Sequence, residues 1–244
     1  MTDSFDQTCK IAADTIADVI QNKHDARLGL ATGSTAQGVY PYLVAAYKEG
    51  KLDFSKVSTI NLDEYVGLGP DHPQSYSHFM DENLFDHINI EKRNTFVAKG
   101  MGDIEANINE FRNKIWEKPI DIQLLGIGVD GHVGFNEPGK VLFDGAHVET
   151  LNESTIEANA RFFNDRSEVP TQAISMGMGE IMRAKKLLLL ATGSHKSAAI
   201  KGLLMNEELD VHNPATLVKM HPDCTVIIDK EIADQIGYEY LGNA

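Results

Sequence analysis

Gly128-Val129-Asp130-Gly131-His132-Val133-Gly134-Phe135-Asn136-Glu137-Pro138 follows directly on the apolar run Ile122 to Ile127. An aliphatic run that breaks into a glycine-rich connection reads as a buried strand ending at the edge of an open α/β sheet. Ligands bind outside the carboxyl ends of the strands in such sheets, and glycine lets the backbone come close to them. Three groups able to carry a proton, Asp130, His132 and Glu137, share that one connection. An isolated Asp-Gly-His would also suit a surface turn; the ordered continuation through Phe135, Asn136, Glu137 and Pro138 favours a site. As metal ligands the three are a poor set, because no second His or Cys pair stands at ligand spacing nearby.

The alternation of strand and helix extends in both directions. Arg27 to Ala31, Val57 to Leu62, Thr95 to Ala98, Ile120 to Ile127, Lys186 to Ala191 and Cys224 to Asp229 read as buried strands. Amphipathic helices lie between them. Ile104, Ile108, Phe111 and Ile115 share one face with Asp103 as the expected N-cap, Ala12, Ile16, Val19 and Ile20 mark a second helix, and Val39, Leu43 and Ala46 a third. Continuous apolar strands separated by helices predict a mostly parallel sheet covered on both faces. No repeat, low-complexity tract or linker divides residues 1–244, so a single domain is expected. Patterning is weakest between Gly139 and Pro170, where a mobile, lid-like insertion within 139–170 is expected.

A chain of 244 residues with 42% hydrophobic and 24% charged residues suits a globular protein with a substantial core. The longest aliphatic run, around Leu187 to Leu190, falls far short of the ~20 apolar residues a bilayer requires. Met1 to Lys10 has no signal-peptide pattern, and Cys9 and Cys224 alone cannot build a disulfide framework or a four-cysteine metal site. The expectation is a cytoplasmic protein with no membrane partner. A formal charge of −14 argues against nucleic-acid binding, which depends on concentrated Lys and Arg. An anionic substrate would need a few cations focused locally.

Three further strand ends carry candidate chemistry. Thr32-Gly33-Ser34-Thr35 precedes a helix, so its N–H groups and hydroxyls suit a phosphate, or its Ser and Thr serve only as a helix cap. It is not a Walker loop, since no Lys follows. In Asn61-Leu62-Asp63-Glu64-Tyr65 strand alternation sends the two carboxylates in different directions, so at most one faces a shared pocket. Thr192-Gly193-Ser194-His195-Lys196 is again strand, glycine turn and helix start; Lys196 either reaches an anion over that turn or lies in solvent.

Taken together, Asp63-Glu64-Tyr65-Val66-Gly67-Leu68, the run Asp130 to Pro138, Ala160-Arg161-Phe162-Phe163 and Gly193-Ser194-His195-Lys196 resemble the glucosamine-6-phosphate deaminase family. Thr32-Gly33-Ser34-Thr35 matches that family's first phosphate loop, and the resemblance spans essentially the whole chain in order. It implies the fold shared with ribose-5-phosphate isomerases and CoA transferases, a Rossmann-like three-layer α/β sandwich around a central, mostly parallel sheet. It also implies the conversion of glucosamine 6-phosphate and water to fructose 6-phosphate and ammonia. By the resemblance, His132 opens the sugar ring as acid and base, and Asp130 and Glu137 orient and tune it. Asp63 moves the proton from C2 to C1. Gly33, Ser34, Thr35, Arg161 and Lys196 hold the phosphate.

Such a reaction needs no redox step and no electron sink beyond the sugar carbonyl, so no cofactor and no metal is expected. Two alternatives stay open. A 6-phosphogluconolactonase shares the Asp-Gly-His loop, but Phe135-Asn136-Glu137-Pro138 supplies an acid where the lactonase pattern has Ser-Leu-Phe-Pro. A non-catalytic sugar-phosphate sensor is disfavoured by the acidic chain, by the retained carboxylates and by the lack of a preceding helix-turn-helix. Allosterically activated deaminases use a Ser and two basic residues after Asn-Glu-Pro and a longer C-terminal tail. Here the matching stretch has Lys140, His147 and Glu149, and Ala244 is the last residue. A monomer or small homo-oligomer is therefore expected rather than an allosteric hexamer.

Overall fold

In the computed structural model, residues 1–239 are described; the final residues, on which the short-tail expectation rests, lie outside that range. Strands β1 (Arg27–Leu30), β2 (Ser58–Asn61), β3 (Asp63–Tyr65) and β4 (Ile122–Leu125) are followed by β5 (His147–Thr150), β6 (Gln172–Ser175), β7 (Leu187–Ala191) and β8 (Cys224–Ile228). The helices are α1 (Phe5–Asn22), α2 (Ser34–Gln37), α3 (Tyr40–Lys48), α4 (Tyr76–Asn83), α5 (Ile104–Glu117), α6 (Glu153–Ala160), α7 (Met178–Ile181), α8 (Ser197–Met205) and α9 (Lys230–Ile236).

Five strands form one parallel sheet in the order β2-β1-β4-β7-β8, flanked by helices in the three-layer arrangement expected. Every residue of β1, β4 and β7 is buried, which explains why these strands read as unbroken apolar runs rather than alternating ones. Helix α5 buries Phe111 and Ile115, and Asp103 accepts the Ala106 N–H at 3.1 Å as its N-cap. From β1 the chain runs outward to β2, while β4, β7 and β8 extend the sheet on the other side. The order therefore reverses between β1 and β4, and the carboxyl ends of two adjacent strands part there to leave a crevice.

A second, antiparallel sheet has the order β3-β6-β5. The chain passes from one sheet to the other at Leu62, whose N–H donates to Leu30 O at 3.1 Å and whose carbonyl accepts from Met176 N at 2.8 Å. Asp63, the next residue, thus stands where the sheets meet. Tyr65, Phe135, Leu151, Ile156, Val169 and Ala173 form a separate small core behind this sheet.

One expectation needs correction. Thr95 to Ala98 is not a strand: only Phe96 bonds to β2, donating to Thr59 O at 3.1 Å and accepting from Asn61 N at 2.9 Å. The chain enters there from the 3-10 turn Lys92–Asn94 and soon leaves toward Gly100, so contact with the sheet edge lasts for one residue. The segment 139–170, whose patterning is weak, contains regular structure. It holds β5, paired along its whole length with β6, and helix α6. Its regularity comes from partners distant in sequence, which a local period does not register.

Candidate active site

At the crevice between β1 and β4 lies a cavity of about 530 Å3. The connections after β1, β4 and β7 supply three of its walls, Asp63 and Tyr76 a fourth, and α6 with Arg161 and Phe162 the outer one. Gly33, Ser34, Thr35, Asp63, His132, Arg161 and Lys196 all line it. Asp130 and Glu137 stand behind His132 rather than in the wall.

Two loops of the same build face each other across the opening. Gly33 (φ 92°) and Gly193 (φ 86°) each turn the chain from strand to helix through the left-handed region, where a side chain would be strained. Ser34 and Thr35 follow the first, Ser194, His195 and Lys196 the second. The Gly193 N–H donates to Asp229 Oδ2 at 2.7 Å, which fixes the second loop from beneath. Lys196 is half-buried, and its pKa is lowered by burial and then by the charge of Arg161, with Asp229 opposing both. Two cations held together in this way can receive an anion on an otherwise acidic protein.

The acid–base end is built by the glycine-rich connection after β4. Gly128 must lack a side chain because a Cβ there would lie 2.3 Å from Cε1 of His132. Asn136 is buried and ties the connection down, donating to Val133 O at 2.8 Å and Met176 O at 2.9 Å. Asp130 Oδ1 lies 2.8 Å from His132 Nδ1 and also accepts the His132 N–H at 3.2 Å. Glu137 Oε2 approaches the same ring nitrogen at 3.9 Å. Since the 2.8 Å approach is off the line of the ring N–H, the pairing is chiefly electrostatic. Burial works to lower the His132 pKa, but Asp130, Glu137 and Asp63 together raise it. Burial likewise opposes ionisation of Asp130, and the adjoining imidazole more than reverses that, leaving Asp130 below its ordinary value.

Asp63 is buried, and its carboxylate packs toward the glycine-rich connection, with Oδ2 3.5 Å from where a Cβ of Gly134 would stand. Burial, and then the charge of Glu64, push its pKa up to about 7, with His132 pulling the other way. Glu64 points elsewhere, as strand alternation predicted. Its carboxylate accepts the N–H groups of Tyr65, Tyr76 and Ser77 at 2.8, 3.0 and 3.0 Å, anchoring the start of α4. Neighbouring acids in the sequence thus divide into one facing the cavity and one holding the fold.

Asp130, His132 and Glu137 each offer a donor atom within 4.8 Å of the others, the one group among the described residues with three such donors. Glu137 Oε2 already accepts from Asn152 Nδ2 at 3.0 Å and Asp130 Oδ2 from Ser154 Oγ at 3.4 Å. The residues contributed by α6, namely Asn152, Ser154 and Thr155, were not singled out from the sequence. The available signal there, an Asn ahead of a helix, announces a cap and not a contact.

A parallel sheet whose switch point couples an imidazole–carboxylate cluster to a cationic recess defines an α/β enzyme built for acid–base work on an anionic substrate. More specifically, the chain belongs to the family of glucosamine-6-phosphate isomerases and 6-phosphogluconolactonases, whose model matches residues 2–227. It is 49% identical over 244 residues to a glucosamine-6-phosphate deaminase of Thermoanaerobacter pseudethanolicus, covering 99% of this chain and 96% of that one. A solved monomeric glucosamine-6-phosphate deaminase superposes with a TM-score of 0.92 at 40% identity, over 96% of this chain and 99% of the other. The 6-phosphogluconolactonase of Plasmodium vivax superposes with a TM-score of 0.75 over 97% of this chain and 92% of its own, but at 17% identity shares the fold alone.

Proposed function

We infer that the protein is a glucosamine-6-phosphate deaminase, an enzyme of amino-sugar breakdown that turns glucosamine 6-phosphate and water into fructose 6-phosphate and ammonia. One observation carries the mechanism: a single cavity is lined by Asp63 and His132 and also by Ser34, Thr35, Arg161 and Lys196. A sugar phosphate is the substrate class that needs both sets.

Ring opening takes a proton from the anomeric hydroxyl and gives one to the ring oxygen. His132 serves there, with Asp130 and Glu137 fixing its charge and orientation. Asp63 then removes the C2 proton of the open chain and returns it at C1, leaving a double bond between C2 and nitrogen. Water adds at C2, nitrogen leaves as ammonia, and the ketone remains. A base with a pKa of about 7 is matched to near-neutral conditions, where it is substantially ionised yet still basic. The phosphate is held by the N–H groups and hydroxyls of Gly33, Ser34 and Thr35, by Arg161 in a forked contact and by Lys196 as a point charge.

The chain acts as a monomer or small oligomer in the cytoplasm; the 40% identical monomeric deaminase supports the first, and no described helix is long and apolar enough to cross a membrane. Incubation with glucosamine 6-phosphate should release ammonia and fructose 6-phosphate in equal amounts. Lactone hydrolysis without ammonia would replace this reading with the lactonase one.

A further inference from the structure

We propose that Asn152 is a positioning residue for Glu137, with Thr155 as its companion; the proposal rests on the deaminase reading above. Asn152 stands at the N-cap of α6, where an Asn side chain ordinarily accepts an N–H of the first turn. It does not do so here. Its amide donates to Glu137 Oε2 at 3.0 Å, while its backbone carbonyl accepts from Thr155 N and Ile156 N at 3.0 Å each. A helix that forgoes its side-chain cap gives up stability for that contact. Thr155, one turn in, is also buried, and its Oγ1 and the second Glu137 oxygen both lack a hydrogen-bond partner. A slight inward movement of α6 would bring these two groups together.

Glu137 is buried, and the groups that face it come from three places. His132, 3.9 Å away, and Asp130 belong to its own connection, Asn152 and Thr155 to the start of α6, and Asp63 acts on His132 from β3. Burial raises the Glu137 pKa above its ordinary value, and the charge of His132 opposes this without reversing it. A donor at Oε2 counters that burial and keeps the carboxylate aimed at the imidazole, which helps His132 keep the protonation needed in ring opening.

The same helix ends at Arg161, in the wall of the cavity. This makes a decisive test available. If a substitution merely displaced α6, Arg161 would move with it and KM would rise; if it only released Glu137, kcat would fall alone. Asn152→Ser removes the donor to Glu137 but restores a side chain able to cap the helix. The expected result is a fall in kcat of about tenfold, the scale of one lost bond to a charged group, with KM within about twofold. The acid limb of kcat should move up by roughly half to one pH unit, while the melting temperature holds or rises. Asn152→Asp, which places a second carboxylate beside Glu137, should move the limb further in the same direction. An unchanged kcat and limb in Asn152→Ser would overturn the proposal. So would a loss of kcat matched by the rise in KM and accompanied by a lower melting temperature. Titration of the Glu137 carboxyl carbon by NMR, assigned with Glu137→Gln, separates this from the function itself. Should the wild type release no ammonia, the deaminase reading fails, and a Glu137 midpoint that Asn152→Ser leaves unmoved would still overturn the positioning role.

Discussion

The two sheets of this molecule find their partners in opposite ways. In the parallel sheet the central strands β1, β4 and β7 are buried throughout, and the connections at their carboxyl ends carry cavity-lining residues. The antiparallel sheet joins three short segments, residues 63–65, 147–150 and 172–175, that only tertiary structure brings together. The parallel sheet presents most of the groups proposed to react or to hold the phosphate; the antiparallel sheet and α6 close the cavity around them. Substitutions on the first should remove chemistry, and substitutions on the second should adjust it.

Asp63, at the junction, gives the largest expected effect. Asp63→Asn should lower turnover by about a hundredfold to ten-thousandfold, the usual range for a general base, and abolish incorporation of solvent deuterium at C1. The variant should nevertheless be as stable as the wild type or more so at neutral pH, because it no longer buries a carboxylate. Near-normal turnover would show that the base lies elsewhere. A loss of folding would show that Asp63 braces the sheet junction instead.

Next come the two cations, one on each side of the comparison. Lys196 follows β7 and is half-buried, whereas Arg161 closes α6 and is exposed. A contact to a charged group is worth about 1.5–3 kcal/mol, so each Ala substitution should weaken substrate binding by roughly one to two orders of magnitude. Lys196→Ala should sit at the upper end and Arg161→Ala at the lower, since solvent screens the exposed group. Equal KM values for the two variants would erase the distinction, and unchanged KM and kcat in both would place these side chains outside the site.

What the sequence made legible follows the same division. The strand after Ala26, the glycine turns at Gly33 and Gly193 and the Asp130 to Pro138 connection are local patterns, and the structure places them at one crevice. The separation of Asp63 from Glu64 followed from strand alternation alone. By contrast, β5 has no apolar alternation of its own, being His-Val-Glu-Thr, and is a strand because β6 lies beside it. Thr95 to Ala98 had the composition of a strand and lacked the neighbour. Asn152 was invisible for a related reason, because its partner, Glu137, belongs to another element.

The pH dependence offers a smaller, graded test. With its pKa pushed up to about 7, Asp63 loses its basic form as pH falls, so kcat/KM should drop about tenfold per unit below about pH 7. Stability should run the other way. Between about pH 4 and pH 7 the folded protein holds a proton on Asp63 that the unfolded chain has released, so this group's contribution declines as pH rises through that window and is constant above it. In Asp63→Asn the share of the slope due to Asp63 should be lost, leaving that of Glu64, whose pKa burial also pushes up to about 7. A wild-type acid limb near pH 4 would mean that Asp63 is better solvated than its burial implies. EDTA should leave the rate unchanged, and a loss restored by a divalent ion would assign Asp130, His132 and Glu137 to a metal.

The smallest expected effect is none: N-acetylglucosamine 6-phosphate should not activate this enzyme. A second phosphate site would need clustered cations, and the stretch that resembles the family's effector site has Lys140, His147 and Glu149. His147 is buried, stacks on Phe143 with ring centroids 4.2 Å apart and lies with Nε2 3.1 Å from Glu149 Oε2. An incoming phosphate would have to displace that carboxylate from the imidazole and then remain beside it, with only the exposed Lys140 in its favour. Rate curves should therefore be hyperbolic and superimposable with and without the effector. A sigmoidal curve made hyperbolic by it would mean that Lys140, His147 or a neighbouring subunit supplies the missing charge. The antiparallel sheet, which carries His147 and Glu149 on β5, would then be a regulatory element rather than a brace.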